Sequence, residues 1–140
     1  MVRKILEIDS GVAAGYASQV LTSVGWEVTK VIPDGHNSLI ELQSRWGGGA
    51  GGASLFLDKN KELVDSSDFD ILTNASDFDV VIGDFSRRNM KQFALSADVF
   101  NSLDIGCTLI SLTSFGLDQS LSDQPHSDLI LQAASSLLYL

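Results

Sequence analysis

The sequence predicts an α/β fold: a Rossmann-like open, mostly parallel sheet with helices on both faces. Three observations predict it. Residues 4–35 read as one strand–helix–strand unit with its turn residues in place. Further segments then alternate between strand-like and helix-like patterns along the chain. Finally, Phe78–Gly83 and Cys107–Leu112 are short apolar runs without clean polar alternation, the pattern of strands covered on both faces.

Taken in order, Lys4–Ile8 is the first strand and Asp9-Ser10-Gly11 the turn after it. A helix follows over about Ala13–Val24, and Gly25 stops it. Glu27–Val31 is the second strand, ended by the turn residues Pro33-Asp34-Gly35. From Asp34 to about Ser54 the chain reads as irregular. Its run Trp46-Gly47-Gly48-Gly49-Ala50-Gly51-Gly52 reads as a flexible surface loop, because glycine loses the most backbone freedom on ordering. That run lacks the Gly-Lys-Ser/Thr of a phosphate loop. Asn60–Val64 gives a short strand, and Ser66-Ser67-Asp68 an N-cap for a helix with Phe69, Ile71 and Leu72 on its apolar face. Phe78–Gly83 is a buried parallel strand with Asp84-Phe85-Ser86-Arg87-Arg88 at its carboxyl end. A helix over Ser96–Leu103, a buried strand over Cys107–Leu112, a polar loop over Phe115–Pro125 and a helix over Asp128–Leu138 complete the chain.

Size and composition bound the function. A chain of 140 residues is read as a single domain that buries roughly two-thirds of its unfolded surface. Its 44% hydrophobic and 19% charged residues are ordinary globular composition. The runs Thr108–Leu112 and Leu137–Leu140 fall far short of the ~20 residues a membrane span needs, so no membrane partner is expected. Glu7 and Asp9 interrupt the apolar start, which argues against a signal peptide, and the lone Cys107 allows no disulfide framework. A cytoplasmic setting is the expectation. The net charge of −9 disfavours nucleic acid, whose binders need cations to displace counterions. Against that background Arg87, Arg88 and Lys91 stand out as a tight basic group, with no Lys or Arg after them. They follow a strand's carboxyl end, where open α/β sheets hold ligands, and so are candidates for an anion. His36 and His126 lack metal-ligand spacing, and no metal is expected. There is no Gly-x-Ser-x-Gly elbow for a serine hydrolase. Ser10–Gly15 lacks the dinucleotide fingerprint, and Ile32 stands where an acid would hold a ribose.

Several segments together carry a family likeness. They are Ile5–Leu21 (ILEIDSGVAAGYASQVL), Val24–Pro33 (VGWEVTKVIP), Asn60-Lys61, Asp79–Phe85 (DVVIGDF), Leu109–Gly116 (LISLTSFG) and Ser122–Ala133 (SDQPHSDLILQA). In this order, across nearly the whole chain, they resemble the N-terminal portion of the class III CoA-transferase family. This is the family of formyl-CoA transferase, carnitine CoA-transferase and alpha-methylacyl-CoA racemase. The resemblance implies a Rossmann-like half-domain over 1–140, coenzyme A as cofactor, CoA or acyl-CoA as partner, and a homo-oligomer or partner chain, the family being typically interlocked dimers. It places Gly11, Val12, Pro33, Asp34, Asn60, Lys61, Asp84 and Phe85 along the CoA site. Lys61, Arg87, Arg88 and Lys91 would then meet the phosphates, and Phe85 or Ile32 would cover the adenine. Ile32 and Gly83 stand where the family usually has Glu, and Asp34 where some members have Arg. The family's catalytic Asp lies beyond the position matching Asp128, so no catalytic residue is assigned within the chain. His126 sits one residue from a catalytic His of the racemase branch, with Ser127 in the matching place, and reads as surface.

The expectation is therefore a CoA-holding half-domain, without transferase activity when acting alone, or one part of a split transferase. A degenerate family member serving as a structural or protein-interaction module is the alternative. An enzyme using an unrelated site is the third reading.

Overall fold

The structure, a computed structural model, describes residues 2–9, 11–33, 37–40, 52–93, 106–116 and 127–135. Five strands are formed: β1 (Lys4–Ile8), β2 (Glu27–Ile32), β3 (Glu62–Asp65), β4 (Val80–Gly83) and β5 (Thr108–Ser111). The helices are α1 (Val12–Ser23), α2 (Gly52–Leu57), α3 (Ile71–Asn74), α4 (Arg87–Gln92) and α5 (Asp128–Ala134). A 3-10 turn, Ala75–Asp77, follows α3. The strands pair in the order β3-β2-β1-β4-β5, and every pair is parallel. The chain is thus an α/β domain of Rossmann-like topology.

Strand parity divides the core into two layers. Leu6, Ile8, Val31 and Val81 point to one face, where Ile71, Ala75, Met90 and Phe93 pack on them. Ile5, Val28 and Ile82 point to the other, beneath Ala14 of α1. Burying apolar side chains on both faces is what parallel strands require, since helical crossovers cover them on each side. At Gly15 α1 packs on Leu39 and Leu57 with room left for a methyl group. A Cβ there would lie 3.6 Å from Leu39 Cδ1 and 3.7 Å from Leu57 Cβ.

The three N-terminal strands and α1 match their sequence-predicted bounds closely, and β4 is the core of the expected Phe78–Gly83 strand. Three expectations are corrected. The stretch read as irregular to Ser54 already contains the start of α2 and a helical turn at 38–40. The helix after β3 is capped by Asp70, whose carboxylate accepts from Leu72 N and Thr73 N, not by Ser66-Ser67-Asp68. Those residues instead form a turn in which Ser67 N donates to the Asp65 carboxylate. And β5 is not buried. It lies at the sheet edge with Thr108 exposed and Leu109 and Ile110 more than a third exposed. Its apolar composition marks a strand whose cover is incomplete among the described residues. The expected helix Ser96–Leu103, His36, His126, Asp34, the glycines at 47–49 and 51, and most of Phe115–Pro125 lie outside the described residues.

Candidate functional site

The order β3-β2-β1-β4-β5 reverses direction between β1 and β4. At such a reversal the connections leave to opposite sides, and a crevice opens beyond the carboxyl ends of the two strands. From β1 the crevice receives Gly11 and the first turn of α1. From β4 it receives Asp84-Phe85-Ser86 and then α4, which carries Arg87, Arg88 and Lys91. Gly11 has φ +97°, a backbone region that residues with side chains rarely adopt, and glycine there lets the chain turn from β1 into α1. Gly11 provides no side-chain cap, and the first turn of α1 holds no acidic residue. The amide groups that open α1 therefore keep their partial positive charge.

The β4 side is built by local hydrogen bonds. Ser86 Oγ caps α4 by accepting from Asn89 N at 3.4 Å. Asp84 turns its carboxylate back to accept from Ser86 N at 2.8 Å, and its carbonyl accepts from Asn89 Nδ2 at 2.9 Å. Gly83 ends β4 against β1: a Cβ there would stand 3.0 Å from Ile8 Cβ and 3.2 Å from Ile8 O.

The sequence-selected residues divide into two groups. Gly11, Val12, Asp84 and the helix bearing Arg87, Arg88 and Lys91 follow the carboxyl ends of β1 and β4 beside the reversal, with Val12 and Lys91 exposed. Three others are withdrawn from the surface. Phe85 is 4% exposed and belongs to the core with Leu6, Ile8 and Met90. Pro33 is buried. Lys61 does not approach the crevice as a free cation. Its ammonium is fully enclosed and donates to Glu7 Oε2 at 2.7 Å, Ser18 Oγ at 2.7 Å and Gly15 O at 3.0 Å.

Lys61 belongs to a charged network that the sequence reading did not find. Glu7 and Asp9 share the α1-facing parity of β1, and Lys30 pairs directly across from Glu7 in β2. All three are buried. Lys30 Nζ lies 3.0 Å from Asp58 Oδ1, 3.2 Å from Asp9 Oδ1 and 3.9 Å from Glu7 Oε1. Asp58 also accepts from Asn37 Nδ2 at 3.0 Å and Ser54 Oγ at 2.8 Å. Asp9 accepts from Ser38 N at 2.7 Å and Ser38 Oγ at 2.6 Å. Ser18 Oγ donates to Glu7 Oε2, while Glu7 Oε1 has no hydrogen-bond partner. Burial draws the Lys30 pKa down, but Asp9, Glu7 and Asp58 outweigh it and hold it above the ordinary value. Burial likewise raises Asp58, yet the Asn37 bond, the Lys30 charge and the Ser54 bond hold it below the usual carboxylate value. These groups lie buried or partly buried, and they tie β1, β2, α1, α2 and the turn at 38–40 together, with Lys30 placed against Asp9 at the carboxyl end of β1.

A second concavity of 490 Å3 opens at the opposite, amino edge of the sheet, between Trp26, Glu27, Glu62, Phe69, Asp77 and Phe78. Apart from Asn60, it takes none of the sequence-selected residues. Among the described residues no group of His, Cys, Asp and Glu side chains could hold a metal ion. No described helix is long and apolar enough to cross a membrane.

Comparison with known proteins adds the fold. Neither a described protein family nor a curated protein matches the sequence. Among solved structures, a hypothetical protein of Mycobacterium tuberculosis, Rv3272, superposes with a TM-score of 0.69 at 22% identity, over 96% of this chain and 39% of that one. An orthorhombic crystal form of Rv3272 gives 0.68 at 24% identity, over 96% and 37%. A point mutant of it gives 0.70 at 24%, over 96% and 38%. The chain thus spans about two-fifths of the length of these structures. Such identities carry the fold and no activity.

Proposed function

We propose that residues 1–140 form a coenzyme A-binding half-domain of the class III CoA-transferase type, with binding and not catalysis as their part. One observation carries this reading. The uncapped first turn of α1 and the Asp84–Lys91 segment follow the carboxyl ends of β1 and β4, neighbouring strands at the strand-order reversal. A diphosphate there meets free amide groups from one side and the basic helix α4 from the other. The two acids nearest this place are already engaged, Asp9 by Lys30 and Ser38, and Asp84 by Ser86 N. Gly11, Val12, Arg87, Arg88 and Lys91 are the binding residues of this proposal; Lys61, Pro33 and Phe85 are supports. No catalytic residue is assigned, and a cytoplasmic setting goes with a CoA-dependent role.

The test is thermal unfolding with CoA, using NAD and ADP as controls. Ligand at ~100 times its dissociation constant adds about 2.7 kcal/mol, which for this size is several degrees in Tm. The rise should be specific to CoA and lost in the Arg87→Ala, Arg88→Ala, Lys91→Ala triple variant. Unchanged melting at millimolar CoA would remove the proposal. A protein-interaction role is the second reading, favoured by the exposed apolar side chains of β5, namely Leu109 and Ile110, and of Leu112 after it.

A further inference from the structure

At the amino edge of the sheet, the concavity of 490 Å3 has the size of a ligand site, which ordinarily spans ~300–1,000 Å3. Strand parity lines it. Lys4 stands two residues before Leu6, Glu27 and Thr29 four and two before Val31, and Glu62 two before Val64. All four therefore share the face of the sheet that carries the core layer of Leu6, Val31 and Val64. The inner wall is apolar. Val64, Phe69 and Phe78 are half-buried there, and the two rings meet edge to face with centroids 6.4 Å apart. The rim is charged: Glu27, Glu62 and Asp77 are exposed, and Lys4 is the one cation among the lining residues.

We propose that this concavity binds a short aliphatic diamine, a dication whose methylene chain lies against Phe69 and Phe78. Three observations select that chemistry. The first is charge. Carboxylates outnumber the Lys4 ammonium three to one, which leaves two negative charges for a ligand to balance. They are also open to it. Among the described residues no hydrogen bond or ion pair engages the side chains of Glu27 and Asp77. Glu62 accepts from Thr29 Oγ1 through Oε2 at 3.1 Å and keeps Oε1. The second observation is spread. The acids do not converge on a point, and among the described residues no group of them could hold a metal ion. Glu62 pairs with Thr29, two residues along β2 from Glu27. At ~3.3 Å per residue and ~4.8 Å between strands, the Cα atoms of Glu27 and Glu62 are roughly 8 Å apart. Two ammonium groups joined by a flexible chain reach both acids, whereas a single charge reaches one. The third is the wall. Val64 and the two rings offer nothing to a hydrated ion, but they remove methylene surface from water. This inference does not rest on the CoA reading, whose residues lie at the carboxyl edge of the same sheet.

Isothermal titration of the whole chain with 1,5-diaminopentane reads the site. At ~150 mM NaCl, general attraction to the −9 chain is screened. One saturable site with a dissociation constant below ~1 mM is expected. Pentylamine has the same carbon chain and one charge, and should bind at least ~3-fold more weakly. Glu62→Gln should weaken the diamine by about 3- to 5-fold, the effect of losing one exposed ion pair. Asp68→Asn removes the same charge from an exposed residue that does not line the concavity, and should leave binding unchanged. Circular dichroism confirms folding, and Glu27→Gln replaces Glu62→Gln should that chain fail to fold. No saturable heat up to ~10 mM diamine overturns the proposal. Pentylamine binding as tightly as the diamine does so too. So does an affinity that Asp68→Asn lowers as much as Glu62→Gln, which is attraction to an acidic chain and not a site.

Discussion

At the residue scale the decisive side chain is Lys30. Its ammonium sits among Glu7, Asp9 and Asp58 with no exposure to water, and removing it would leave those carboxylates short of a cation. Breaking a buried pair from one side costs more than the pair contributes, because the remaining charge is uncompensated. Lys30→Met should therefore destabilise the fold by about 3–5 kcal/mol in urea unfolding. A loss below about 1 kcal/mol, the range of surface pairs, would show that the carboxylates are relieved by other groups. The pH dependence follows from the same partners. Lys30 is raised above 10.5 in the folded state, so its contribution is complete below that pH and is lost as pH climbs through the raised value. Asp58 is held below 3.8, so its contribution is present above that pH and is lost as pH falls through the lowered value. The network's own share of stability should thus be flat from about pH 5 to 9 and decline on both sides. Urea midpoints of wild type and Lys30→Met across that range isolate it. A difference between the two that varied within pH 5 to 9 would contradict the assignment.

At the scale of elements, the β1–β4 approach can be tested at Gly83. A methyl group at that position must displace Ile8, on the adjacent strand. Gly83→Ala should cost about 1–3 kcal/mol, the range for overpacking a close-packed site. An unchanged urea midpoint would mean that Ile8 moves aside freely. What sequence reveals about elements follows from which forces are local. β1, α1 and β2 were legible because Gly11, Gly25 and Pro33 mark their ends and the apolar periods lie between them. The cap at Asp70 was misread because Ser66, Ser67 and Asp68 are equally good cap residues by type. Only the position of β3 and of the apolar face of α3 decides between them. The crevice was partly legible, since Arg87, Arg88 and Lys91 directly follow a strand end. Lys61 and Phe85 were not, because sequence gives no direction for a side chain that can face ligand or core. The charged network had one available signal: Glu7 and Lys30 each fall on the inward parity of their strand, alongside Ile5 and Val28. Opposite charges at inward positions of adjacent strands read as a buried pair only once the strands are known to be neighbours.

At the scale of the whole molecule, two electrostatic regimes coexist and respond oppositely to salt. The whole chain carries an unbalanced −9, most of it outside the buried network, and like charges repel one another more in the compact state than in the expanded one. Around the core, Lys30 and Lys61 are enclosed with their carboxylates, at distances of 2.7–3.9 Å, far inside the screening length and away from mobile ions. Added salt therefore weakens the unfavourable surface repulsion and leaves the favourable interior pairs nearly untouched. The melting temperature should rise by a few degrees as NaCl goes from ~10 to ~150 mM, where the Debye length shrinks from ~30 to ~8 Å. Scans at a fixed low protein concentration keep any self-association from contributing, because an associating chain gains stability with concentration. The Lys30→Met chain, melting lower, should show the same rise, since its missing pair was never screened. A fall in Tm with salt would mean that exposed ion pairs such as Arg3–Asp79 stabilise the fold more than the net charge opposes it. A rise confined to wild type would place the salt-sensitive charges in the interior, against the burial of Glu7, Asp9 and Lys30.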